Sequence, residues 1–179
     1  MTLVTSTTYR IDANDRIVWF DEDFRRFAAL NDDPDLPERV LHTSLWDHVE
    51  GPGVSSATSA VFDRARRAAR PLEFPFRCDA PALRRFMRMT VVPLPDDGLE
   101  LRSTLLRAEP RDPVPIPLGG RGLPGPLVTI CAWCRKVQTP RGWLEPEEAI
   151  ATLDLLSSDV APGVTHGMCS DCYGRAAAG

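Results

Sequence analysis

Four cysteines near the C-terminus are the residues whose type and spacing point most directly to chemistry. ICAWCRKV supplies Cys131 and Cys134, and HGMCSDCYGRA supplies Cys169 and Cys172. A two-residue gap lets both sulfurs of one turn converge on a single metal ion, and backbone amides can donate hydrogen bonds to the thiolates. Four thiolates complete a tetrahedral zinc sphere and leave no position open for a substrate. The spacing therefore predicts a structural zinc site.

Three other interpretations of the same cysteines remain open to different degrees. They could be metal-free structural thiols, or one pair could act as a thiol–disulfide couple, although no thioredoxin-like βαβ pattern surrounds them. Haem attachment requires His directly after the second cysteine of a pair, and Arg135 and Tyr173 occupy those positions. His166 lies three residues before Cys169, so it could replace one thiolate as a ligand or contact one from outside the ligand set.

The spacing between the pairs also predicts what surrounds the metal. The gap from Cys134 to Cys169 holds 34 residues, longer than the roughly 15 to 20 of compact zinc modules. WLEPEEAIATLDLL within it has the pattern of an inserted amphipathic helix. We expect Trp133 and Trp143 to pack in this small core, which would depend on the metal for folding because it buries little apolar surface.

Other reactive residues carry weaker signals. Cys78 and Asp79 lie in a turn beside Arg77, Arg84, Arg85 and Arg88. That setting is consistent with an anion or acidic-partner site containing a low-pKa thiol. We favour the simpler interpretation, a buried small residue ending a strand, with the arginines on a solvated sheet face.

Two histidines and an acidic loop carry weaker signals still. His42 and His48 flank Trp46, and a lone histidine there could ligate haem iron, but a surface or capping role is the simpler expectation. Asp32, Asp33, Asp35 and Glu38 cluster in a proline-containing loop, where solvation explains them.

No catalytic constellation is present in the sequence. There is no phosphate-cradling glycine loop, GxSxG elbow, HExxH pair or histidine-kinase region. We therefore expect no catalytic residues and a protein that is not an enzyme.

Composition narrows the class of protein further. The 179 residues are 43% hydrophobic and 26% charged, as in ordinary globular proteins, and no apolar run approaches the roughly 20 residues of a membrane span. The first residues have no pattern of an export signal, so we expect a cytoplasmic protein with reduced cysteines. A net charge of -4 does not favour nucleic-acid binding.

The order of elements predicts how the chain is divided. Residues 1–109 form a first domain, 110–127 a Pro/Gly-rich linker, and 128–179 the cysteine module. Within the first domain TTYRIDANDRIVWFD predicts a β-hairpin, followed by a short helix capped by Asp21. A stripe from Val54 to Ala69 predicts a second helix ending before Pro71, with Arg64, Arg67 and Arg70 turned away from its centre. LEFPFRCD, RRFMRMTVVPL and LELRSTLLRAE predict a three-strand meander in which Arg77 faces away from the core.

This order resembles a PAS domain, a bacterial sensory fold. RIDANDRIVWFDEDFRRFA is similar to the opening strand, turn, strand and helix of such domains, and LHTSLWDHV to the segment before their long helix. The resemblance covers about residues 8–108 and implies an α+β fold: a five-stranded antiparallel sheet with helices on one face and a small cavity beneath them. The flavin photoreceptor motif GRNCRFLQ is absent, so flavin is not expected. Haem is not expected either, because a surface or capping role is the simpler explanation of His42 and His48.

The C-terminal part resembles a treble-clef zinc knuckle, with its second pair at the start of the helix-like tail CYGRAAA. RCDAPALRRFMRM, ICAWCRKV, GWLEPEEA and THGMCSDC together look like a family of bacterial proteins joining a PAS-like domain to a CxxC...HGxCxxC module. That resemblance implies no established activity.

We therefore expect a non-enzymatic signalling or regulatory protein that binds a ligand or a protein partner and forms a homodimer through the PAS-like domain. The alternatives are a thiol redox sensor and a nucleic-acid-binding regulator that acts through the zinc module. Residues 128–179 carry four basic against six acidic residues, which weakens the second alternative.

Overall fold

A computed structural model describes residues 4–80, 82–112, 127–155 and 162–178. Two sheets and five α-helices account for most of these residues. The elements are β1 Ser6–Ile11, β2 Ile17–Phe20, α1 Glu22–Leu30, α2 Leu36–Val40, α3 Pro52–Ala68, β3 Leu72–Arg77, β4 Leu83–Pro93, β5 Leu99–Pro110, β6 Leu127–Cys131, β7 Val137–Thr139, β8 Gly142–Leu144, α4 Pro146–Thr152, β9 Gly163–Gly167 and α5 Ser170–Ala178.

The N-terminal hairpin and first helix form where the sequence predicts them. In the turn between β1 and β2, the Asp12 carboxylate accepts hydrogen bonds from the amides of Asn14 and Arg16, both at 2.9 Å. Asp21 then caps α1 by accepting from the amide of Phe24 at 2.8 Å. These short polar side chains satisfy amides that would otherwise lack partners at a turn and a helix start.

The long helix α3 also follows the prediction, with one correction. It ends at a left-handed Ala69 (φ 47°), directly ahead of Arg70 and Pro71. Val61, Phe62 and Ala65 on its apolar stripe are at most 2% exposed. Arg64, predicted to turn away from the helix centre toward solvent, is instead half-buried and donates to the carbonyl of Ala176 at 3.0 Å. The C-terminal helix α5 lies where solvent was expected.

The larger sheet has five antiparallel strands in the order β2-β1-β5-β4-β3. Strands β3, β4 and β5 form the predicted meander. The face turned toward the helices buries alternate apolar side chains, as the period of two requires. These buried side chains include Ile11, Leu72, Val91, Leu99 and Leu101.

Arg77 departs from the predicted alternation. We expected its side chain in solvent at the end of β3, but it is only 7% exposed and forms ion pairs with Asp79 and Glu145. A buried charge needs such partners. Glu145 comes from the C-terminal part of the chain, and the sequence pattern of β3 alone contains no sign of it.

The smaller sheet has the order β8-β7-β6-β9, with β6 and β9 parallel. The amphipathic helix predicted between the cysteine pairs is shorter than expected. Helix α4 spans only Pro146–Thr152, while Trp143 and Leu144 belong to β8. Most of the predicted linker lies outside the described residues, which resume at Leu127.

The two predicted domains share one hydrophobic cluster in the described part of the chain. Cys131, Trp133, Cys169, Cys172 and Ala176 pack into the same core as the large sheet and α3. The Trp133 ring stacks on Phe74 of β3 with centroids 4.2 Å apart, and the Trp133 carbonyl accepts from the Arg77 amide at 2.6 Å. The C-terminal segment therefore covers part of the exposed edge of β3, a position where an unpaired strand invites wrong pairings.

No helix within the described ranges has the length and apolar character needed to cross a membrane.

Candidate metal centre

The first cysteine pair lies on a tight turn between β6 and β7. Cys131 ends β6, and its amide donates to the Lys136 carbonyl at 2.7 Å, while the Arg135 amide donates back to Cys131 at 2.9 Å. Arg135 has a φ of 64°, a left-handed conformation uncommon for residues other than glycine. This turn brings the Cys134 sulfur back toward that of Cys131.

The second pair lies at the start of α5. Cys169 immediately precedes the helix, Cys172 is in its first turn, and the Cys172 amide lies 3.4 Å from the Cys169 sulfur. The predicted placement of this pair at the start of a C-terminal helix is confirmed.

Parallel pairing of β6 with β9 brings the two pairs together. Cys131 aligns with Gly167, and the Ala132 amide donates to the Gly167 carbonyl at 2.9 Å. A Cβ on Gly167 would lie 2.9 Å from the methyl group of Thr129, so this close approach favours glycine. The pairing of β6 with β9 thus brings together two cysteine pairs that are separated by 34 residues in the sequence.

The sulfur geometry fits a tetrahedral metal ion. All four Sγ atoms lie within 4.8 Å of one another, and those of Cys134 and Cys169 are 3.7 Å apart. A Zn–S bond of about 2.3 Å places the sulfurs of a tetrahedral site about 3.8 Å apart. Cys131, Cys169 and Cys172 are buried, and Cys134 is half-buried. The four cysteines could therefore hold a metal ion such as zinc.

Several donors surround the sulfurs. The Cys169 amide lies 3.4 Å from the Cys131 sulfur, and the Arg175 guanidinium donates to Cys172 at 3.0 Å. Hydrogen bonds from Cys134 and Cys172 lower the pKa of Cys131, whereas the hydrogen bond to Cys131 raises the pKa of Cys134 to about 11. Ionisation of the Cys131 thiol therefore opposes ionisation of the Cys134 thiol, and a bound cation would stabilise both thiolates together.

His166 lies on β9 outside this group of four sulfurs. Its Nδ1 is 3.3 Å from a Glu50 carboxylate oxygen, next to the start of α3. Gly51 has a φ of 91°, and a Cβ there would clash with the His166 carbonyl. His166 therefore contacts the segment before α3 in this structure.

Trp133 and Trp143 also take different positions. Trp133, 6% exposed, packs on the large sheet rather than within a separate zinc core. Trp143 is half-buried at the edge of the shared cluster, near Gly167.

The low-pKa interpretation of Cys78 is wrong. Burial raises the pKa of this thiol, and the nearby Arg85 guanidinium only partly offsets that effect. The expectation that the neighbouring arginines lie on a solvated face is also wrong for several of them. Arg77 pairs with Asp79 and Glu145, and Arg84 pairs with Glu147 at 2.8 Å.

The remaining candidates lie apart from the cysteines. The His48 Nε2 is 2.7 Å from the Thr43 hydroxyl, and His42 has a φ of 65° beside β2. In the acidic loop, Asp33 pairs with Arg39 at 2.7 Å and Glu38 pairs with Arg25. The neighbouring arginines lower the pKa of both carboxyl groups. Asp32 and Asp35 are exposed.

Sequence reasoning missed a set of ion pairs between the two parts of the chain. Glu147 at the start of α4 lies 2.8 Å from Arg84 and 3.3 Å from Arg111, and Arg111 lies 3.6 Å from Asp79. Opposite charges in LEPEEA and RCDAPALRR were visible, but nothing in their spacing predicts that they meet.

No protein-family model matches the chain, and no curated protein matches its sequence.

Proposed function

We propose that this protein is a non-enzymatic bacterial signalling or regulatory protein, in which structural zinc fixes the C-terminal segment against a PAS-like ligand- or partner-binding domain. The observation that carries the proposal is the position of the four sulfurs in the core shared with the large sheet. A site closed by four thiolates supplies rigidity rather than catalysis. Loss or gain of the metal ion would therefore change the packing against the large sheet.

A cavity beneath α1 supports a ligand-binding role for the sheet. It has a volume of about 150 Å³ and is lined by apolar side chains of the inner face and the helix, among them Tyr9, Phe24, Phe27, Phe76 and Met87. Burial raises the pKa of Tyr9, so its hydroxyl is neutral. This combination suits a small, mostly apolar molecule.

The test compares Cys134→Ser with Cys78→Ser by native mass spectrometry of the purified chain. Cys134 belongs to the sulfur cluster, whereas Cys78 is the one cysteine outside it. We expect one zinc ion per wild-type and Cys78→Ser chain, and its loss from Cys134→Ser. The same spectra report subunit number and any retained small molecule, and thereby test the proposed homodimer.

Partner binding needs a second measurement. We expect pull-downs with the wild-type chain and with Cys78→Ser to recover the same specific partner, and Cys134→Ser to recover less of it. A metal-free, monomeric wild-type chain that binds neither a partner nor a metabolite would refute the proposal.

One observation favours a thiol redox sensor as a second candidate. Cys134 is the half-buried member of the cluster, lines an open cleft of about 400 Å³, and has its sulfur 3.7 Å from that of Cys169. A hydroperoxide would take two electrons from these thiolates, forming a Cys134–Cys169 disulfide while its O–O bond is reduced. Peptide mapping after peroxide treatment tests this, and unchanged metal content with reduced cysteines would exclude it.

A further inference from the structure

A second cleft lies where α3, the start of β3 and α5 meet, apart from the cavity beneath α1. Its volume is about 310 Å³, and three arginines line it, namely Arg64, Arg70 and Arg175. Each comes from a different segment, since Arg64 is on α3, Arg70 follows that helix and Arg175 is on α5. The fold therefore gathers three positive charges around one small volume.

These charges are not neutralised by carboxylates among the described residues. Arg64 donates to the backbone carbonyls of Ala176 and Ala177, and Arg175 to the Cys172 sulfur. Glu73 also borders the cleft, but its carboxylate oxygens are engaged by the Thr90 hydroxyl at 3.1 Å and by Arg88 at 3.7 Å. The lining therefore carries three arginines against one carboxylate, and one of these arginines, Arg175, also faces the thiolates of the cysteine cluster.

Arg64 carries an unused donor. Its Nη1 caps the end of α5, which explains why the side chain is held, but its Nε is buried with no hydrogen-bond partner in the described structure. Buried donors are nearly always paired, since leaving one unpaired is costly. Protein atoms cover this nitrogen, so an anion in the adjacent cleft would reach it only after a small shift of the Arg64 side chain, which itself lines the cleft.

The remaining walls are apolar. Leu72 and the stacked rings of Phe74 and Trp133 border the cleft opposite the cations. Guanidinium groups bind carboxylate and phosphate oxygens through paired N–H donors. We propose that this cleft binds a small organic anion, its carboxylate or phosphate held by the three arginines and its apolar part placed against Leu72, Phe74 and Trp133.

This inference goes beyond the proposed function and rests only on the folded, metal-loaded chain, because α5 supplies Arg175. The test is an NMR titration of that chain with phenyl phosphate, benzoate, inorganic phosphate and neutral benzyl alcohol. We expect saturable shifts of the Trp133 indole N–H and the Arg64 Nε–H with an aromatic anion. The dissociation constants of phenyl phosphate and benzoate show whether the cleft prefers a phosphate or a carboxylate. Benzyl alcohol should bind at least about ten-fold more weakly, since it lacks the charge.

Two arginine variants separate a built site from general attraction. Arg70 lines the cleft and makes no hydrogen bond or ion pair with described residues, so Arg70→Gln should leave the fold intact. It should weaken the binding of the aromatic anion about ten-fold or more. Arg67→Gln removes the same charge from an exposed position on α3 outside the cleft and should change affinity less than about two-fold.

Two results would overturn the inference: no saturable shift with any of the anions, or equal weakening by both variants. Metal content is measured on the same samples, so a missing anion site is distinguished from a missing metal.

Discussion

Replacing Trp133 with alanine should destabilise the large sheet, although Trp133 belongs to the cysteine turn. Its side chain is 6% exposed and stacks on Phe74 with centroids 4.2 Å apart. Its carbonyl also accepts the hydrogen bond from Arg77 at the edge of β3. The substitution removes the ring but keeps the carbonyl, so it isolates the packing contribution.

The magnitude follows from buried area. A buried aromatic side chain of this size removes roughly 150 to 250 Å² from water, and about 25 cal/mol per Å² gives roughly 4 to 6 kcal/mol for its complete loss. Because alanine keeps the Cβ atom and the surrounding side chains partly close around the gap, we expect a total in the range of about 3 to 5 kcal/mol measured for such truncations. That is a large fraction of the roughly 5 to 15 kcal/mol that stabilises an ordinary domain.

Urea unfolding of the metal-loaded chain measures the lost free energy of unfolding. The transition is followed by NMR through the indole N–H signal of Trp46. Trp46 packs on Phe62 of α3, with centroids 5.9 Å apart, so it reports the core of the large sheet rather than the cysteine turn. We expect one cooperative transition whose midpoint falls, with the slope unchanged.

The matched control is Trp19→Ala. Trp19 is 42% exposed and, among the described residues, its ring contact is with the Arg10 guanidinium, so its loss should cost less than about 1 kcal/mol. The reasoning is refuted if Trp133→Ala leaves the Trp46 transition where it is in wild type. In that case the C-terminal segment would fold as the separate domain that the sequence predicts.

Two further predictions concern the charged residues and the thiol near the end of β3. Asp79→Asn should lower the free energy of unfolding in urea by about 3 kcal/mol, because it leaves the buried Arg77 with fewer charged partners. The control Asp35→Asn, in the exposed loop, should lower it by less than about 0.5 kcal/mol. Equal effects of the two substitutions would show that the ion pair contributes nothing. Because burial raises the pKa of Cys78, iodoacetamide should alkylate it more slowly than the same thiol in the urea-unfolded chain. Above the ordinary thiol pKa only the unfolded chain ionises Cys78, so stability should fall as pH rises, and less in Cys78→Ser; identical profiles would contradict this.

Local signals predicted the large sheet well because each of its elements is encoded within a short stretch. Asp12 and Asp21 hydrogen bond to amides two to four residues away, and the alternating strands need only one buried face. The cysteine positions were equally informative, because a Cys-x-x-Cys unit forms its turn locally. The contacts that hold these elements together could not be predicted from the sequence in the same way.

The misplaced residues share one physical cause. Arg64 and Arg77 were predicted to face solvent because their own helix and strand would expose them, yet α5 and Glu145 cover those positions. Contacts between residues 68 or 112 positions apart depend on how the segments dock, which periodicity does not encode. Trp133 was predicted to pack with the cysteines, and it lies in their cluster, but its stacking on Phe74 of β3 could not be predicted, for the same reason.

The docking has a thermodynamic consequence for the cysteine centre. Any ion that binds the folded chain but not the unfolded one adds stability that grows by about 1.4 kcal/mol for each ten-fold excess of the ion over its dissociation constant. Because Cys131, Cys169 and Cys172 are buried in the same cluster as Leu72 and Phe62, that free energy would act on the large sheet as well as on the small one. Chelation should therefore lower the unfolding midpoint reported by Trp46, and a Trp133→Ala chain, with this contact weakened, should respond less to chelation than wild type.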